Sequence, residues 1–378
     1  MKNLLSLVAI SISTFTLAQT TTSKTITHNG GTREYNVYVP ASYDGTVAVP
    51  IVLNLHGYGS NNTQQMQYAD FKPIADTANF IIVLPQGLLD PVNSSPHWNA
   101  NWGTGIDDIG FISAMLDTIS SNYNINQDRM YSTGMSNGGF MSLTLAGQLS
   151  NKITAVASVT GTMSVMQIPN NTVVRPVPVM QIHGTNDPTV SYSGDANFLS
   201  VDSVVNFWAG HNQCSSTPVF TAMPDINTSD GCTAEKYEYL GGIGGSEVVH
   251  YKIIGGEHTW PGAFPIAVTN QDINACIEIW KFFNKYEMSN LLNQENIYSL
   301  GSDFKLTGAN PTEGLIQISS ESNSTFDFDI INISGQLMES QRNIDSSTQL
   351  DFTALSAGIY LVSIKSNGKS STFKVVRK

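Results

Sequence analysis

A serine, an aspartate and a histidine stand in this chain where together they could break an acyl bond. The serine lies in Gly134-Met135-Ser136-Asn137-Gly138, followed by Gly139. A hydroxyl is a poor nucleophile until a neighbouring base takes its proton. A serine presented at the tip of a sharp strand-to-helix turn also needs neighbours without side chains, which the glycines supply. G-x-S-x-G alone is a weak pattern, and an ordinary turn could carry it. Here an apolar run, Met130–Thr133, precedes it and a segment of helical period follows. That order is the strand, elbow and helix of a nucleophile turn.

The base is expected later in the chain, with an acid in between. Of seven histidines, His211, His250 and His258 lie well beyond Ser136. His211 leads into Cys214, and His250 falls inside an apolar strand. His258 follows that strand in Gly255-Gly256-Glu257-His258-Thr259-Trp260-Pro261-Gly262. Loops at the C-terminal ends of parallel strands are where ligand sites of open sheets lie, so His258 is the expected general base. Val177–His183 reads as the preceding strand, and Gly184-Thr185-Asn186-Asp187-Pro188 follows it. Asp187 would then share one sheet edge with Ser136 and His258, orient the imidazole and stabilise its cation. A turn aspartate before proline is the plainer reading of the same residue. His183 is read as structural.

The oxyanion of an acyl-transfer intermediate needs preorganised N–H donors. One is expected from Asn137, the residue after the serine. Tyr58 is the second, in Leu55-His56-Gly57-Tyr58-Gly59-Ser60, where two glycines let backbone approach a carbonyl and His56 braces the loop. Trp102 and Trp260 are candidate substrate-binding residues, with Trp98, Asn99 and Asn101 nearby, because aromatic faces suit sugar and phenolic rings. A tryptophan is as often core as cleft. Asp107-Asp108 precedes an apolar helical stretch and reads as a cap. The sequence has no HExxH, no paired CxxC and no phosphate loop, so the reading includes no metal and no cofactor.

These residues require a scaffold that brings several strand ends together. Strands are expected at Tyr35–Pro40, Ile51–His56, Phe80–Pro85, Arg129–Gly134, Ala155–Thr160, Val177–His183 and Val248–Ile254. Helices are expected at Gly110–Tyr123, Asn137–Leu149, Leu199–Gly210 and Asp272–Tyr286. Apolar strands alternating with helices argue for an α/β class, a doubly wound and mostly parallel sheet covered on both faces. Residues 19–287 form this unit. Met288–Leu300 is Asn-rich and reads as a linker. Residues 301–378 show short alternating strands and turn signals, among them Asn367-Gly368, and read as a small all-β sandwich.

Of the 378 residues, 41% are apolar and 13% charged, which supports a packed core and excludes wholesale disorder. The net charge of -12 divides into about -11 before residue 300 and -1 after it. No basic face is visible, so nucleic acid is not an expected partner. Lys2 followed by the apolar stretch Leu4–Leu17 and the small residues Thr16 and Ala18 reads as a signal peptide over 1–18. That stretch is too short to span a membrane, and no other run is longer. The expected location is outside the cell. Export favours a disulfide between Cys214 and Cys232, which flank a polar loop, whereas Cys276 lies in an apolar helical pattern and reads as a buried free thiol.

Five motifs in one order give a resemblance. They are His56-Gly57-Tyr58-Gly59-Ser60, Trp102 with Asp107-Asp108-Ile109-Gly110-Phe111-Ile112, Gly134–Gly139, His183-Gly184-Thr185-Asn186-Asp187 and Gly256–Gly262. Over residues 25–285 the chain resembles the esterase family that groups polyhydroxybutyrate depolymerases with feruloyl and acetylxylan esterases. The resemblance implies an α/β-hydrolase fold and a Ser136–Asp187–His258 triad. Glu257 departs from the glycine common there, and Cys276 stands where a small polar residue is expected. Asn310-Pro311-Thr312-Glu313-Gly314, Ile331–Gln336, Leu355–Val362 and Phe373–Lys378 resemble the type A C-terminal sorting domain of the type IX secretion system. That resemblance implies export across the outer membrane, with the type IX machinery as a partner.

The expected activity is that of a secreted serine carboxylic-ester hydrolase working through an acyl-enzyme on plant cell-wall polysaccharide esters, feruloyl or acetylxylan. An extracellular polyhydroxybutyrate depolymerase shares the mechanism. A catalytically dead surface glycan-binding module is the reading of another class, and a peptidase could use the same triad.

Overall fold

The computed structural model describes residues 19–378 except 167–172, 174, 293–297, 301–303, 309, 321, 323, 333–335 and 367–368. The expected signal peptide and the Asn367-Gly368 turn lie outside the described residues. In chain order the first strands are β1 (Thr20–His28), β2 (Gly31–Val39), β3 (Val49–Leu55), β4 (Ile81–Pro85), β5 (Leu88–Leu89), β6 (Pro96–His97) and β7 (Ile125–Met135). They are followed by β8 (Ala155–Val159), β9 (Val179–Gly184), β10 (Val219–Ala222), β11 (Thr233–Tyr239) and β12 (Val248–Ile254). The helices are α1 (Asn62–Tyr68), α2 (Lys72–Ala78), α3 (Asp108–Asn122), α4 (Asn137–Gln148), α5 (Val201–His211), α6 (Ala275–Phe283) and α7 (Met288–Leu292).

Ten strands make one sheet in the order β1-β2-β4-β3-β7-β8-β9-β12-β11-β10. The six central strands, β4 to β12, run parallel to their neighbours, and both edges are antiparallel. β3, β4, β8 and β9 are buried along their whole length. A strand covered on both faces reads as a continuous apolar run, which is why these were visible in the sequence. One face packs against Phe111, Met115, Phe140, Leu145, Val204 and Trp208 of α3, α4 and α5. The other packs against Ala75, Ile279, Trp280, Phe282 and Phe283 of α2 and α6. Because the central strands are parallel, the C-terminal ends of β3, β7, β9 and β12 all open at one edge.

Residues 288–300 are not simply a polar linker. α7 buries Leu291 in the second core, and β13 (Tyr298–Leu300) pairs with β14 (Phe304–Thr307). Two buried apolar anchors, Met288 and Leu291, fix this short helix beside the polar Ser289 and Asn290. The remaining strands are β15 (Leu315–Ser320), β16 (Phe326–Asn332), β17 (Leu337–Ile344), β18 (Ser347–Asp351), β19 (Gly358–Ser366) and β20 (Lys369–Arg377). They form two antiparallel sheets, β13-β14-β15-β18 and β17-β16-β19-β20. Ile316, Ile318 and Leu350 from one sheet meet Phe328, Ile330, Val362 and Val375 from the other in a single core. Buried and half-buried residues alternate along β15 and β16, as a sheet with one face on a core requires.

Candidate active site

Ser136 follows the last residue of β7 and precedes α4. Its backbone sits at φ 56° and ψ −122°, a conformation that costs free energy in any residue with a Cβ. The surroundings hold it there. Its N–H donates to Val159 O at 2.8 Å, and its carbonyl accepts from Phe140 N at 3.0 Å. The flanking glycines are required by packing. A Cβ on Gly134 would lie 2.6 Å from Leu55 O, and one on Gly138 would lie 2.2 Å from the same oxygen. The Ser136 side chain makes no capping bond to α4, so its Oγ is left for other work.

The β9 and β12 loops are knitted together. Asn186 N donates to Gly256 O at 3.0 Å, Thr185 N to Ile253 O at 2.9 Å and Gly255 N to Thr185 Oγ1 at 2.8 Å. Gly184 must lack a side chain, because a Cβ there would lie 2.2 Å from Gly256 O. This close approach sets His258 Nδ1 2.7 Å from Asp187 Oδ2. Asp187 is fully covered, whereas the His258 side chain is 17% exposed. Burial alone would raise the Asp187 pKa. Hydrogen bonds from His183 and His258, with the backbone N–H of Val190, outweigh burial and hold the carboxyl well below the usual range. Asp187 is therefore an anion, and Nδ1 of His258 carries a proton toward it. Nε2 remains the ring nitrogen available to Ser136.

His183 is buried, as a structural histidine would be, but it also touches Asp187. Gln181 Nε2 lies 3.3 Å from His183 Nδ1 and donates to it, which leaves the ring proton on Nε2. That nitrogen faces Val190 O at 2.8 Å and Asp187 Oδ2 at 3.3 Å.

The loop after β3 runs beside the serine, with the Gly57 Cβ position 3.5 Å from Ser136 Cβ. His56 braces it from below: Nδ1 donates to Gly57 O at 2.8 Å and Nε2 accepts from Gly87 N at 2.9 Å. Burial drives the His56 pKa down to about 4, so the ring is neutral and can do both. Gly59 N is taken by Pro96 O and Ser60 N by Gly57 O. The N–H groups of Tyr58 and Asn137 have no acceptor among the described residues. The Asn137 side chain is spent on structure, since it accepts from Trp98 N at 2.6 Å and donates to Trp98 O at 3.0 Å. Asp107 caps α3 through Gly110 N, and Asp108 pairs with Arg33 at 2.6 Å inside the protein.

Ser136 and His258 line one cavity of about 380 Å³. Its other walls include Gly57, Tyr58, Tyr68, Met135, Trp260, Phe264 and Ile266. Among the described residues, no acidic or basic side chain other than His258 lines it. Trp260 contributes an edge but is 2% exposed and packs against Phe71, so it is mainly core. Trp102 lies outside this cavity and lines a neighbouring one. Sequence reasoning missed the wall of Gln67, Tyr68 and residues 263–269, because an exposed apolar residue in a loop has no periodic signature. Glu257 bears on that wall: its N–H donates to Val268 O, and its carboxylate accepts from Val268 N at 3.5 Å.

The expected disulfide does not form, and all three cysteines are free. Cys214 lies beside Ser246, near the Tyr239 end of β11, whereas Cys232 immediately precedes Thr233 at the other end. A seven-residue strand separates them by about 20 Å. Bridgeable cysteines have Cα atoms within about 7 Å.

Residues 44–206 match the Phospholipase/Carboxylesterase family model, and residues 310–378 match the model of the secretion system C-terminal sorting domain. The chain has the α/β-hydrolase fold. It is similar to feruloyl esterase D of Neurospora crassa, with 26% identity over 270 residues that cover 68% of this chain and 83% of that one. It is 30% identical over 174 residues to a bifunctional acetylxylan esterase/xylanase of Neocallimastix patriciarum, covering 45% of this chain and only 24% of the relative. The solved acetyl xylan esterase from Aspergillus awamori shares the fold, with a TM-score of 0.50 and 14% identity over 70% of this chain and 99% of that one. The match to the sorting-domain model supports export of the chain to the cell surface or beyond. No helix among the described residues is long and apolar enough to cross a membrane.

Proposed function

We propose that this protein is a secreted serine esterase that releases feruloyl groups from plant cell-wall polysaccharides through an acyl-enzyme on Ser136. One observation carries the reading: the strained serine and His258, which the buried Asp187 holds, open into the same apolar cavity. In the proposed reaction, His258 Nε2 takes the Ser136 proton as Oγ attacks the ester carbonyl. Asp187 stabilises the imidazolium that forms. The N–H groups of Tyr58 and Asn137 receive the oxyanion, each contributing about 3 kcal/mol to the barrier lowering if typical donors are a guide. His258 then protonates the departing sugar oxygen, which leaves as a hydroxyl, and water repeats the sequence to free the acid. The lining by Tyr58, Tyr68, Trp260 and Phe264 favours a phenolic acid over acetyl, which would fill little of about 380 Å³.

The test is ferulate release from methyl ferulate and from feruloylated arabinoxylan by the purified protein, with Ser136→Ala as control. Release by wild type alone supports the reading. Absence of release from either substrate overturns the feruloyl assignment, and acetylated xylan then tests the acetyl one. A second reading, polyester depolymerase, draws on Phe264 and Ile266, which are 85% and 81% exposed at the cavity wall and suit an apolar polymer surface. Hydrolysis of a polyhydroxybutyrate film without ferulate release would favour it.

A further inference from the structure

A second opening, of about 550 Å³, lies beside the first. Asn99, Asn101, Trp102, Gly103, Gly105 and Met166 line it. Tyr58 and Trp102 join the two openings. Tyr58 lines the Ser136 cavity, and its ring centroid is 6.4 Å from that of Trp102. Trp102 also packs edge-on against Phe140, near the start of α4, at 5.5 Å. The openings differ in chemistry. The first is walled mostly by apolar and aromatic side chains. The second combines one indole with side-chain amides and with backbone that Gly103 and Gly105 leave bare. A Cβ at either glycine would meet nothing within 4 Å. Among the described residues, no acidic or basic side chain lines the second opening.

We propose that the second opening is a subsite for a neutral sugar residue of the chain that bears the ester, while the Ser136 cavity takes the acyl group. The proposal rests on the esterase reading above and divides the ester between two named places. A pyranose or furanose ring has an apolar C–H face that an indole can cover, and hydroxyls around its rim that amides and peptide groups can bond. Trp102 Nε1 and Asn101 Nδ2 are buried donors without an acceptor among the described residues. A donor left this way costs stability, and a small side-chain rotation toward a bound hydroxyl would recover part of that cost. The uncharged lining selects against uronic acids, whose carboxylates would be desolvated without a counter-charge.

The experiment compares kcat/KM for methyl ferulate with that for ferulate on an arabinoxylo-oligosaccharide. A titration of the unesterified oligosaccharide, read by tryptophan fluorescence, accompanies it. Trp102→Ala is expected to lower the oligosaccharide-to-methyl ratio about tenfold, chiefly through KM for the oligosaccharide. Trp102 also packs internally, so Gly105→Asn provides a second variant. It places a side chain in open space at φ +76°, which asparagine tolerates, and is expected to lower the ratio about threefold. A ratio unchanged in a folded Trp102→Ala protein, or unchanged in Gly105→Asn if Trp102→Ala does not fold, overturns the subsite and leaves the esterase reading intact. If wild type cleaves neither feruloyl ester, the esterase reading falls and the titration decides. Saturable binding weakened in Trp102→Ala or Gly105→Asn then supports the sugar subsite, and no binding to wild type overturns it.

Discussion

The hydrolase sheet and the C-terminal sandwich solve the folding problem differently. The sandwich core is almost entirely apolar, and among its described residues only Thr312 and Ser320 are buried polar side chains. The hydrolase buries Arg33, His56, Asp108, Asn137, Gln181, His183, Asp187 and His250. Burying a polar group costs stability unless it is bonded. The hydrolase carries that burden largely where the strands end at Ser136. His56 fixes the β3 loop, Asn137 fixes Trp98, Arg33 with Asp108 anchors α3, and Gln181 sets the ring of His183. The sandwich has no comparable site to position. Polar burial in this molecule is concentrated in the hydrolase, where part of it braces the strand ends at Ser136 and part, such as Arg175 and Asn212, ties structural elements together.

Four experiments would break or sharpen that contrast. The largest effect is expected from Ser136→Ala, which should lower ester turnover by about 10⁵-fold while leaving the melting temperature unchanged or higher, since the elbow strain is structural. A comparable loss of melting temperature would mean that the serine serves the fold instead.

Acidification should act on one region only. Burial holds both His56 and His250 at a pKa of about 4, below the 6.5 of an unfolded chain. The unfolded state therefore takes up protons first. The stability these rings allow is complete above about pH 6.5 and declines as pH falls toward 4, by up to about 3 kcal/mol per ring. All seven histidines precede residue 300. Denaturant melts at pH 7 and 4.5 should show the hydrolase transition moving down and the sandwich transition holding. Parallel movement of both would dissolve the distinction.

Ile318→Ala, in the fully buried sandwich core, should cost about 2–5 kcal/mol of sandwich stability and leave methyl ferulate turnover within about twofold. A matching fall in turnover would show that the sandwich supports the site. The smallest effect is expected from His183→Ala, a positioning residue that shares Asp187 with His258. kcat should fall by about 10²-fold with KM steady, as a small misplacement of the base would produce. Equal losses in kcat and melting temperature, with a raised KM, would reduce His183 to a packing residue.

Much of this was legible from sequence where the backbone itself is constrained. The glycines around Ser136 are forced by contacts closer than any Cβ allows, so the elbow declares itself locally. The β9 and β12 loops follow apolar strands, and their meeting was legible in the placement of Asp187 and His258. The edge strands were not. β1 is exposed along most of its length, and all four residues of β10 are exposed, so neither carries an apolar run. α1 and α2 are seven residues each, too short for a period to register. The Cys214–Cys232 pairing failed because loop flanking says nothing of distance when a strand runs between. Trp102 and Trp260 were grouped by residue type, yet one lines a separate opening and the other is mainly core with one edge on the Ser136 cavity.

The unpaired cysteines have a consequence for how the protein can be made. Cys232 and Cys276 are buried, and their thiols are pushed up to about 12, chiefly by burial; the half-buried Cys214 is raised for the same reason. At neutral pH such groups stay protonated and react slowly with oxidants. Maturation then needs no oxidase, no isomerase and no oxidising compartment. On thiol chemistry alone a reductant in the storage buffer should be harmless to the protein.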